Sequence, residues 1–236
     1  MNVTTQTDVG KKKATNEDTV MATSYGSTHL LVVADGMGGH AAGDVASELA
    51  VSTISEFVST ALNEDRTDYE AILGDAISEA NVEICEHADS SNIASMGTTV
   101  VATIYSEDEL IIANVGDSRA YSVGETITQL TVDHSLVQEL VEEGEITAEE
   151  AETHPQRNVL SQALGNASSV DPDFYKPSVE EILLLCSDGL TEEVAEERII
   201  ETIHTANSLS TAADELISLA NQNGGSDNIS VVLSTT

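Results

Sequence analysis

Acidic residues recur where an apolar segment of this sequence begins or ends, next to glycine or another turn-forming residue. They stand in Asn16-Glu17-Asp18, Asp35-Gly36, Gly116-Asp117, Ser187-Asp188-Gly189 and Ser226-Asp227-Asn228. Carboxylates that converge at one edge of a sheet repel one another unless a cation lies between them. Oxygen ligands without a nearby His or Cys pair favour Mg²⁺ or Mn²⁺ over Zn²⁺. Two such ions about 3.5–4 Å apart can activate water and clamp a phosphoryl group.

Each of these acidic positions also has a simpler interpretation. An Asp-Gly pair after a strand is usually only a turn, and this chain is rich in acidic residues. Five occurrences beside predicted strands are much harder to explain by chance than one. The spacing of the residues does not by itself establish that their side chains converge, so the metal site is at this point a hypothesis.

The elements that must position these residues follow from hydrophobic periodicity. Strands are predicted at residues 3–9, 19–24, 29–34, 98–105, 109–115, 119–123, 126–130, 182–186 and 229–234. Helices are predicted from about residue 44, from about residue 67, and at 135–143, 147–152, 192–203 and 211–222. Runs of strands broken by helix pairs predict an α+β fold of antiparallel sheets packed together with helices outside. No linker divides the chain, which predicts one domain over residues 1–236.

The charge of the chain excludes one class of partner and indicates a habitat. Its 236 residues include 42 Asp and Glu but eight Lys and Arg, a formal net charge of −34. Nucleic-acid binding needs a cationic face, so a nucleic-acid partner is not expected. Carboxylates on a folded surface retain water and cations where salt competes for hydration, and molar salt screens their repulsion. We expect a protein of a salt-accumulating halophile; the alternative is an ordinary acidic protein.

The sequence predicts a protein of the cytoplasm. The first residues lack the basic and apolar regions of a signal peptide, and no apolar run approaches the ~20 residues of a membrane span. Cys85 and Cys186 have no metal-ligand spacing. We expect no disulfide between them, as is usual in a reducing compartment.

A set of short motifs, in order along residues 8–234, resembles the type 2C (PPM) family of metal-dependent protein phosphatases, in its compact microbial branch. The motifs are Asn16-Glu17-Asp18, Asp35-Gly-Met-Gly-Gly-His40, Met96-Gly97-Thr98-Thr99, Gly116-Asp-Ser-Arg119, Asp133-His-Ser135, His154-Pro-Gln-Arg-Asn158 with Leu164-Gly165, Ser187-Asp-Gly-Leu190 and Ser226-Asp-Asn228. Any one of them is weak, but the full ordered set is highly specific. The resemblance implies a four-layer αββα sandwich of two mainly antiparallel sheets flanked by helix pairs.

The resemblance also implies a set of metal ligands for two Mn²⁺ or Mg²⁺ ions. Asp35 would bridge both ions, the Gly36 carbonyl would bind one, and Asp188 and Asp227 would bind the other. A third, weaker ion would take Asp117 together with Asp188. A water or hydroxide between the two ions would attack phosphorus directly, without a phosphoenzyme.

Other residues are implied to support these ligands or to bind the substrate. Glu17 and Asp18 would hold metal-bound waters, and Asn228 would orient Asp227. Lys13 occupies the position of the arginine that usually binds the substrate phosphate in this family. It could bind phosphate as a point charge, or it could belong to a solvated basic turn with Lys11 and Lys12.

A second departure concerns the acid that protonates the leaving group. Many eukaryotic members have a histidine two residues after the bridging aspartate, where this chain has Met37, as in the microbial branch. His40 is expected to shape the loop. Arg119 is expected to pair with local carboxylates, and His134 and His154 to be structural.

The implied activity is hydrolysis of phosphoserine and phosphothreonine in proteins that Ser/Thr kinases phosphorylate, by a monomer that binds no membrane. The alternative is an inactive relative that only binds partners, which is disfavoured because Asp35, Asp188 and Asp227 are all present. A calcium-binding or structural acidic domain would need clustered ligands such as an EF-hand loop, which the sequence lacks.

Residues 133–165 are predicted to form a flap that covers the edge of the site. The segment contains seven glutamates, within and between its two short helices, at positions 139, 142, 143, 145, 149, 150 and 152. That acidity would favour substrates with basic residues near the phosphate. The alternative is a solvated helical hairpin whose charges serve only solubility.

Overall fold

The computed structural model describes residues 1–38, 42–106 and 109–235, which form eleven strands and seven helices. The strands are β1 (Val3–Asp8), β2 (Asp18–Tyr25), β3 (Thr28–Gly38), β4 (Met96–Thr98), β5 (Val100–Tyr105), β6 (Leu110–Val115), β7 (Arg119–Val123), β8 (Ile127–Gln129), β9 (Asp173–Tyr175), β10 (Ile182–Cys186) and β11 (Ile229–Thr235). The helices are α1 (Gly43–Asn63), α2 (Tyr69–Ser91), α3 (Leu136–Glu142), α4 (Ala148–Glu152), α5 (Asp188–Thr191), α6 (Glu196–Thr205) and α7 (Leu209–Asn223).

Two antiparallel sheets form the centre of the molecule. One has the strand order β1-β11-β10-β7-β8, and the other has the order β2-β3-β5-β6-β9 with β4 paired to β3. Every strand pairing within the described residues is antiparallel. The predicted α+β class with two mainly antiparallel sheets is therefore confirmed.

The apolar strands are continuous because both of their faces are buried. In β3, Leu30 and Val32 pack toward α1 and α2, whereas Leu31 and Val33 join the core between the sheets. In β10, Leu184 faces the side of α6 and α7, while neighbouring residues of the strand face the other sheet. Three apolar cores therefore separate four layers, in the order helices, sheet, sheet, helices.

Local signals in the sequence account for many of the helix ends. The Asp68 side chain accepts a hydrogen bond from Ala71 N at the start of α2. Asn92, the residue after the last one of α2, has a left-handed conformation that ends the helix. Thr147 and Glu150 form a capping box at the start of α4. The boundaries of these helices therefore follow from the residues that cap them.

The structure corrects several predicted elements. β3 does not end before Asp35: it continues to Gly38, because it exchanges its partner β5 for β4 at Gly36. The helix predicted at 192–203 begins four residues later, as α6 at Glu196, because residues 192–195 form a turn after α5 in which Val194 packs into the core. β9 was not predicted, because a strand of three residues is too short for an alternating hydrophobic pattern to be recognised.

No helix among the described residues is long and apolar enough to cross a membrane.

Candidate metal centre

Five aspartates from different elements lie at one end of the two sheets. Asp18 begins β2 and is the register partner of Asp35 in β3. Asp117 follows β6, Asp188 begins α5 directly after β10, and Asp227 precedes β11. The charges of the other four aspartates all act on Asp35. The fold thus supplies the convergence that the spacing of the residues could not establish.

Burial and repulsion by neighbouring carboxylates raise the pKa of four of these groups: Asp18, Asp35, Asp117 and Asp188. For Asp18 and Asp117, removal from water is the largest cause, and the pKa of each rises to about 6. For Asp35 and Asp188, burial again comes first, and neighbouring carboxylates help to raise the pKa well above its usual range. Since Asp35, Asp117 and Asp188 keep part of their surface open to solvent, a cation can reach them and allow them to ionise together.

Two carboxylate oxygens in this group are buried without a hydrogen-bond partner. They are Oδ1 of Asp18 and Oδ1 of Asp188. Buried polar atoms are normally paired, and an unpaired carboxylate oxygen is costly. A hard divalent cation with oxygen ligands fits this donor set, so the residues present suit Mn²⁺ or Mg²⁺.

The carboxylates interact across the cleft but are not closed around a single point. Within the ranges that the structure describes, no three His, Cys, Asp or Glu side chains are gathered closely enough to hold one ion as they stand. Mg²⁺ and similar ions usually keep several water ligands and take only one or two carboxylates directly. The open arrangement is compatible with such partly hydrated ions.

Gly36 lies where three chain segments approach very closely. A Cβ at this position would lie 2.0 Å from Gly43 O and 2.5 Å from Glu17 O, so only glycine fits. The Gly36 N–H donates to Glu17 O at 3.0 Å, and Ser47 Oγ in α1 donates to the same carbonyl at 2.7 Å. The backbone carbonyl of Gly36 and the side chain of Glu17 are therefore held near the start of α1.

Asn228 organises the segment that precedes β2. Its Oδ1 accepts from Glu17 N at 2.8 Å, and its Nδ2 donates to Val9 O and Thr15 O at 2.9 Å. Its backbone N–H donates to Asp227 Oδ1 at 2.8 Å. Asn228 was expected to orient Asp227, and it contacts that carboxylate through its backbone N–H. Its side chain instead holds the loop that carries Lys13.

Two hydroxyl residues support the aspartates in ways that the sequence did not reveal. Ser187 Oγ donates to Asp18 Oδ2 at 2.8 Å and accepts from Ser230 N at 3.0 Å. Thr99 Oγ1 accepts from Asp35 N at 3.1 Å and lies 2.8 Å from Ser118 Oγ. Both residues stand in the motifs that carry the family resemblance, but only the fold shows which aspartate each one contacts: Ser187 bonds to the carboxylate of Asp18, and Thr99 to the backbone N–H of Asp35.

Lys13 pairs with one aspartate of the group. Its Nζ lies 2.5 Å from Asp227 Oδ1, and its side chain is 40% exposed. Burial of the ammonium lowers its pKa, but the hydrogen bond and charge of Asp227, together with the charges of Asp35 and Glu17, outweigh this effect and raise it. Lys13 therefore stays charged and faces the carboxylate cleft.

Arg119 pairs with a local carboxylate, as expected. Its Nη2 donates to Asp133 Oδ2 at 2.6 Å, its Nε contacts both oxygens of Asp133 at 3.0 Å, and its Nη1 donates to Tyr121 Oη. Burial lowers the pKa of Arg119, but its bonds to Asp133 outweigh this and raise it. Asp133, the first residue of the segment 133–165, is thereby tied to β7.

The two histidines of that segment also have local partners. His134 Nδ1 accepts from Gly116 N at 3.3 Å, and its Nε2 lies 3.2 Å from Asp173 Oδ2. His154 Nδ1 accepts from Gln156 N at 3.2 Å. Met37 lies in β3, whereas His40 falls outside the described residues.

Known proteins with similar sequences and folds are serine/threonine phosphatases. The family model described as "Protein phosphatase 2C" matches residues 6–233. The serine/threonine phosphatase stp of Listeria monocytogenes is 43% identical over 99% of this chain and 95% of that protein. The structure of the S. agalactiae serine/threonine phosphatase superposes with a TM-score of 0.90 at 36% identity, covering 98% of both chains.

A further solved structure carries metal. The catalytic domain of the serine/threonine protein phosphatase PstP, in complex with two manganese ions, gives a TM-score of 0.84 at 35% identity over 98% of this chain and 96% of that one. The family model matches nearly the whole chain, and the relatives and solved structures cover it to the same extent. This chain belongs to the protein phosphatase 2C family.

Proposed function

We propose that this protein is a serine/threonine protein phosphatase that hydrolyses phosphoserine and phosphothreonine with the help of two Mn²⁺ or Mg²⁺ ions. The observation that carries the proposal is the convergence of five aspartates, two of them with a buried, unpartnered oxygen. A phosphopeptide assay in Mn²⁺ and in EDTA tests it directly. An inactive relative that only binds partners would hydrolyse nothing in either condition.

The proposed roles of the acidic residues are those that the family resemblance implies. Asp35, on which the charges of the other four aspartates act, would bridge the two ions, and the Gly36 carbonyl would bind one of them. Asp188 and Asp227 would hold the other ion, and Asp117 with Asp188 would bind a weaker third one. When bound, the ions supply positive charge to the phosphoryl oxygens and lower the pKa of the attacking water.

Glu17 and Asp18 would contact water molecules bound to the ions rather than the ions themselves. Glu17 carries the carbonyl that accepts from Gly36 N, and Asp18 is fixed by Ser187. Both carboxylates can accept hydrogen bonds from water at the ions and so orient it. Asp18 Oδ1 is free for that purpose.

Lys13 would bind the substrate phosphate. It stands at the edge of the cleft, stays charged, and uses one of its three donors on Asp227. A lysine contacts phosphate as a point charge, without the fork of an arginine. The interaction would neutralise part of the charge of the phosphate as it enters a cleft lined with carboxylates.

Lys13→Ala is expected to raise KM for a phosphopeptide about tenfold and to lower kcat, because a charge-assisted hydrogen bond to phosphate is lost. Lys13→Arg should retain or improve binding through bidentate contact. Steady-state kinetics on one phosphopeptide measure both, with Lys11→Ala as the control for a lost surface charge. Kinetics of Lys13→Ala equal to those of Lys11→Ala would return Lys13 to the role of a solvated turn residue.

The segment 133–165 would act as a flap beside the reaction site. A cleft of about 1020 Å³ has Asp117 and Asp188 among its lining residues. Val137, Val141 and Glu152 of the flap line it, as do residues of the turn between α5 and α6. Val137 is the one buried residue of α3, and α4 has none. Short helices with so little buried apolar surface are among the parts of a fold that move most easily.

Replacing residues 139–152 by a short glycine-containing turn is expected to lower kcat/KM for a phosphoprotein about tenfold or more. The reason is that a bulky substrate contacts the flap, whereas a small aryl phosphate does not. Activity on the aryl phosphate should change less than about threefold. An equal change on both substrates, or no change on either, would contradict a role in selecting proteins.

A milder pair of variants separates the charge of the flap from its shape. Glu149→Gln with Glu152→Gln removes two flap charges, and Glu83→Gln with Glu86→Gln removes two exposed charges from α2. Only the first pair should weaken turnover of substrates with basic residues near the phosphate. If both pairs behave alike, the acidity of the flap serves solubility.

The net charge of −34 supports a salty setting for this activity. The protein would work as a monomer, in one domain, in the cytoplasm of a salt-accumulating halophile. Its substrates would be proteins phosphorylated by Ser/Thr kinases. Such a charge opposes binding to nucleic acid and to anionic membrane surfaces.

A further inference from the structure

The turn that carries Asp227 is held from two sides. On one side, the backbone N–H groups of Lys11 and Lys12 donate to Gly225 O at 2.8 and 3.2 Å. Gly225 has a φ of +55°, a left-handed conformation that favours glycine. On the other side lies Glu193, in the turn between α5 and α6.

Glu193 makes an unusually complete set of contacts with this turn. Its Oε1 accepts from Ser226 N at 3.0 Å and from Ser226 Oγ at 2.5 Å. Its backbone carbonyl accepts from Asn223 Nδ2 at 2.7 Å. Gly224 leaves the space for the carboxylate, since a Cβ there would lie 2.6 Å from Glu193 Oε2. The side-chain and backbone bonds from Ser226 lower the pKa of Glu193, so it is charged and its hydrogen bonds are strong.

The segment that ends at Glu193 begins at another proposed metal ligand. Asp188 is the first residue of α5, and Glu192 N donates to its carbonyl at 2.8 Å. Glu193 N and Val194 N both donate to Leu190 O, at 3.3 and 2.9 Å. Asp188 and Glu193 are therefore parts of one hydrogen-bonded unit, in which one carboxylate faces the cleft and the other holds the turn of Asp227.

We infer that Glu193 is a positioning residue that fixes Asp227 relative to Asp188 and so preorganises the ion site that these two aspartates share. The inference rests on the proposed function of the site. The charges of Asp35, Asp188 and Asp227 oppose one another when no ion is bound. Holding the turn through Ser226 keeps Asp227 from swinging outward, so less of the free energy of ion binding is spent on ordering it.

The test is Mn²⁺ binding to the full chain, measured by isothermal titration calorimetry. Glu193→Ala should raise the Kd for Mn²⁺ about tenfold, the size expected when a residue that supports a ligand is removed. Glu193→Gln keeps an acceptor oxygen and should restore much of the affinity. Glu197→Ala, which removes an exposed charge in the same region, should bind Mn²⁺ as the unmodified protein does.

Ser226→Ala removes the hydroxyl, one of the two Ser226 groups that donate to Glu193 Oε1. This variant tests the inference if Glu193→Ala does not fold. It should weaken Mn²⁺ binding in the same direction, and combining it with Glu193→Ala should add less than the two separate effects, because both break one contact. Mn²⁺ affinity in Glu193→Ala and Ser226→Ala equal to that of Glu197→Ala would overturn the inference. Asp227→Asn serves as reference: if it too binds Mn²⁺ normally, the proposed metal site itself is wrong.

Discussion

Replacing Asp35 with asparagine is expected to lower kcat for phosphopeptide hydrolysis by about 10³-fold or more. Asp35 is the residue on which the charges of the other four aspartates act, and it is proposed to bridge both ions. Asparagine keeps the shape of the side chain but removes the charge that holds the ions together. A loss of 10³-fold corresponds to about 4 kcal/mol of transition-state stabilisation, within the range of the several kcal/mol that metal ions supply.

The fold of Asp35→Asn should remain intact. Burial and neighbouring charges raise the pKa of Asp35 in the folded chain, so ionisation of this group destabilises the ion-free protein as pH rises through that pKa. Asparagine removes this effect, and at neutral pH in EDTA the variant should melt at the same temperature as the unmodified protein or above it. Loss of activity together with a lower melting temperature would indicate a structural role for Asp35.

A matched control makes the result specific. Asp214→Asn is the same chemical change at an exposed position of α7 and should leave kcat unaltered. EDTA should abolish turnover of the unmodified protein, and Mn²⁺ should restore it. Turnover in EDTA equal to that in Mn²⁺ would rule out the two-ion mechanism altogether.

The acidic residues of the site and the layers of the fold could be predicted for physical reasons. The strands are apolar on both faces, so residues such as Leu30 and Leu31 produce a continuous run that is easy to recognise. Gly36 and Asp188 stand at the ends of such runs because the chain must change direction or partner there. Capping residues such as Thr147 act over three or four positions and are visible locally.

The contacts that support the site could not be predicted, because they join residues far apart in the chain. Ser187 contacts Asp18, 169 positions away, and Glu193 contacts Ser226, 33 positions away. Asn228 was assigned to its sequence neighbour, yet its side chain bonds to Glu17, 211 positions away. A serine, a glutamate or an asparagine has the same appearance in sequence whether it faces solvent or supports an active site.

A predicted helix boundary was wrong where tertiary packing overrode the local hydrophobic periodicity. Residues 192–203 have helical periodicity, but Val194 is drawn into the core beside α7, and Glu193 is held by the turn of Asp227. Residues 192–195 therefore form a turn between α5 and α6, and the helix begins only at Glu196. This departure from the local rule coincides with the contact that we propose to position a metal ligand.

Thermal stability is expected to rise steeply with salt. Eight Lys and Arg cannot neutralise 42 Asp and Glu, and α1, α2 and α7 have no basic residue in the last turn to balance the helix dipole. The Debye length falls from about 10 Å at 0.1 M to about 3 Å at 1 M, so repulsion between exposed carboxylates is largely removed. Between 0.1 M and 3 M KCl, the melting temperature should rise on the order of 10 °C, equivalent to a few kcal/mol for a chain of this size.

One face of α2 provides the variant that assigns this effect to charge repulsion. Glu79, Glu83 and Glu86 are exposed and lie three and four residues apart, a spacing at which like charges destabilise a helix. Replacing all three with glutamine should raise the melting temperature at 0.1 M KCl more than at 3 M KCl, because salt has already screened these charges at the higher concentration. A parallel series in sucrose, which strengthens burial without screening charge, should leave the difference between variant and unmodified protein unchanged. A melting temperature that is independent of KCl, or that falls as KCl rises, would contradict adaptation to a salty cytoplasm.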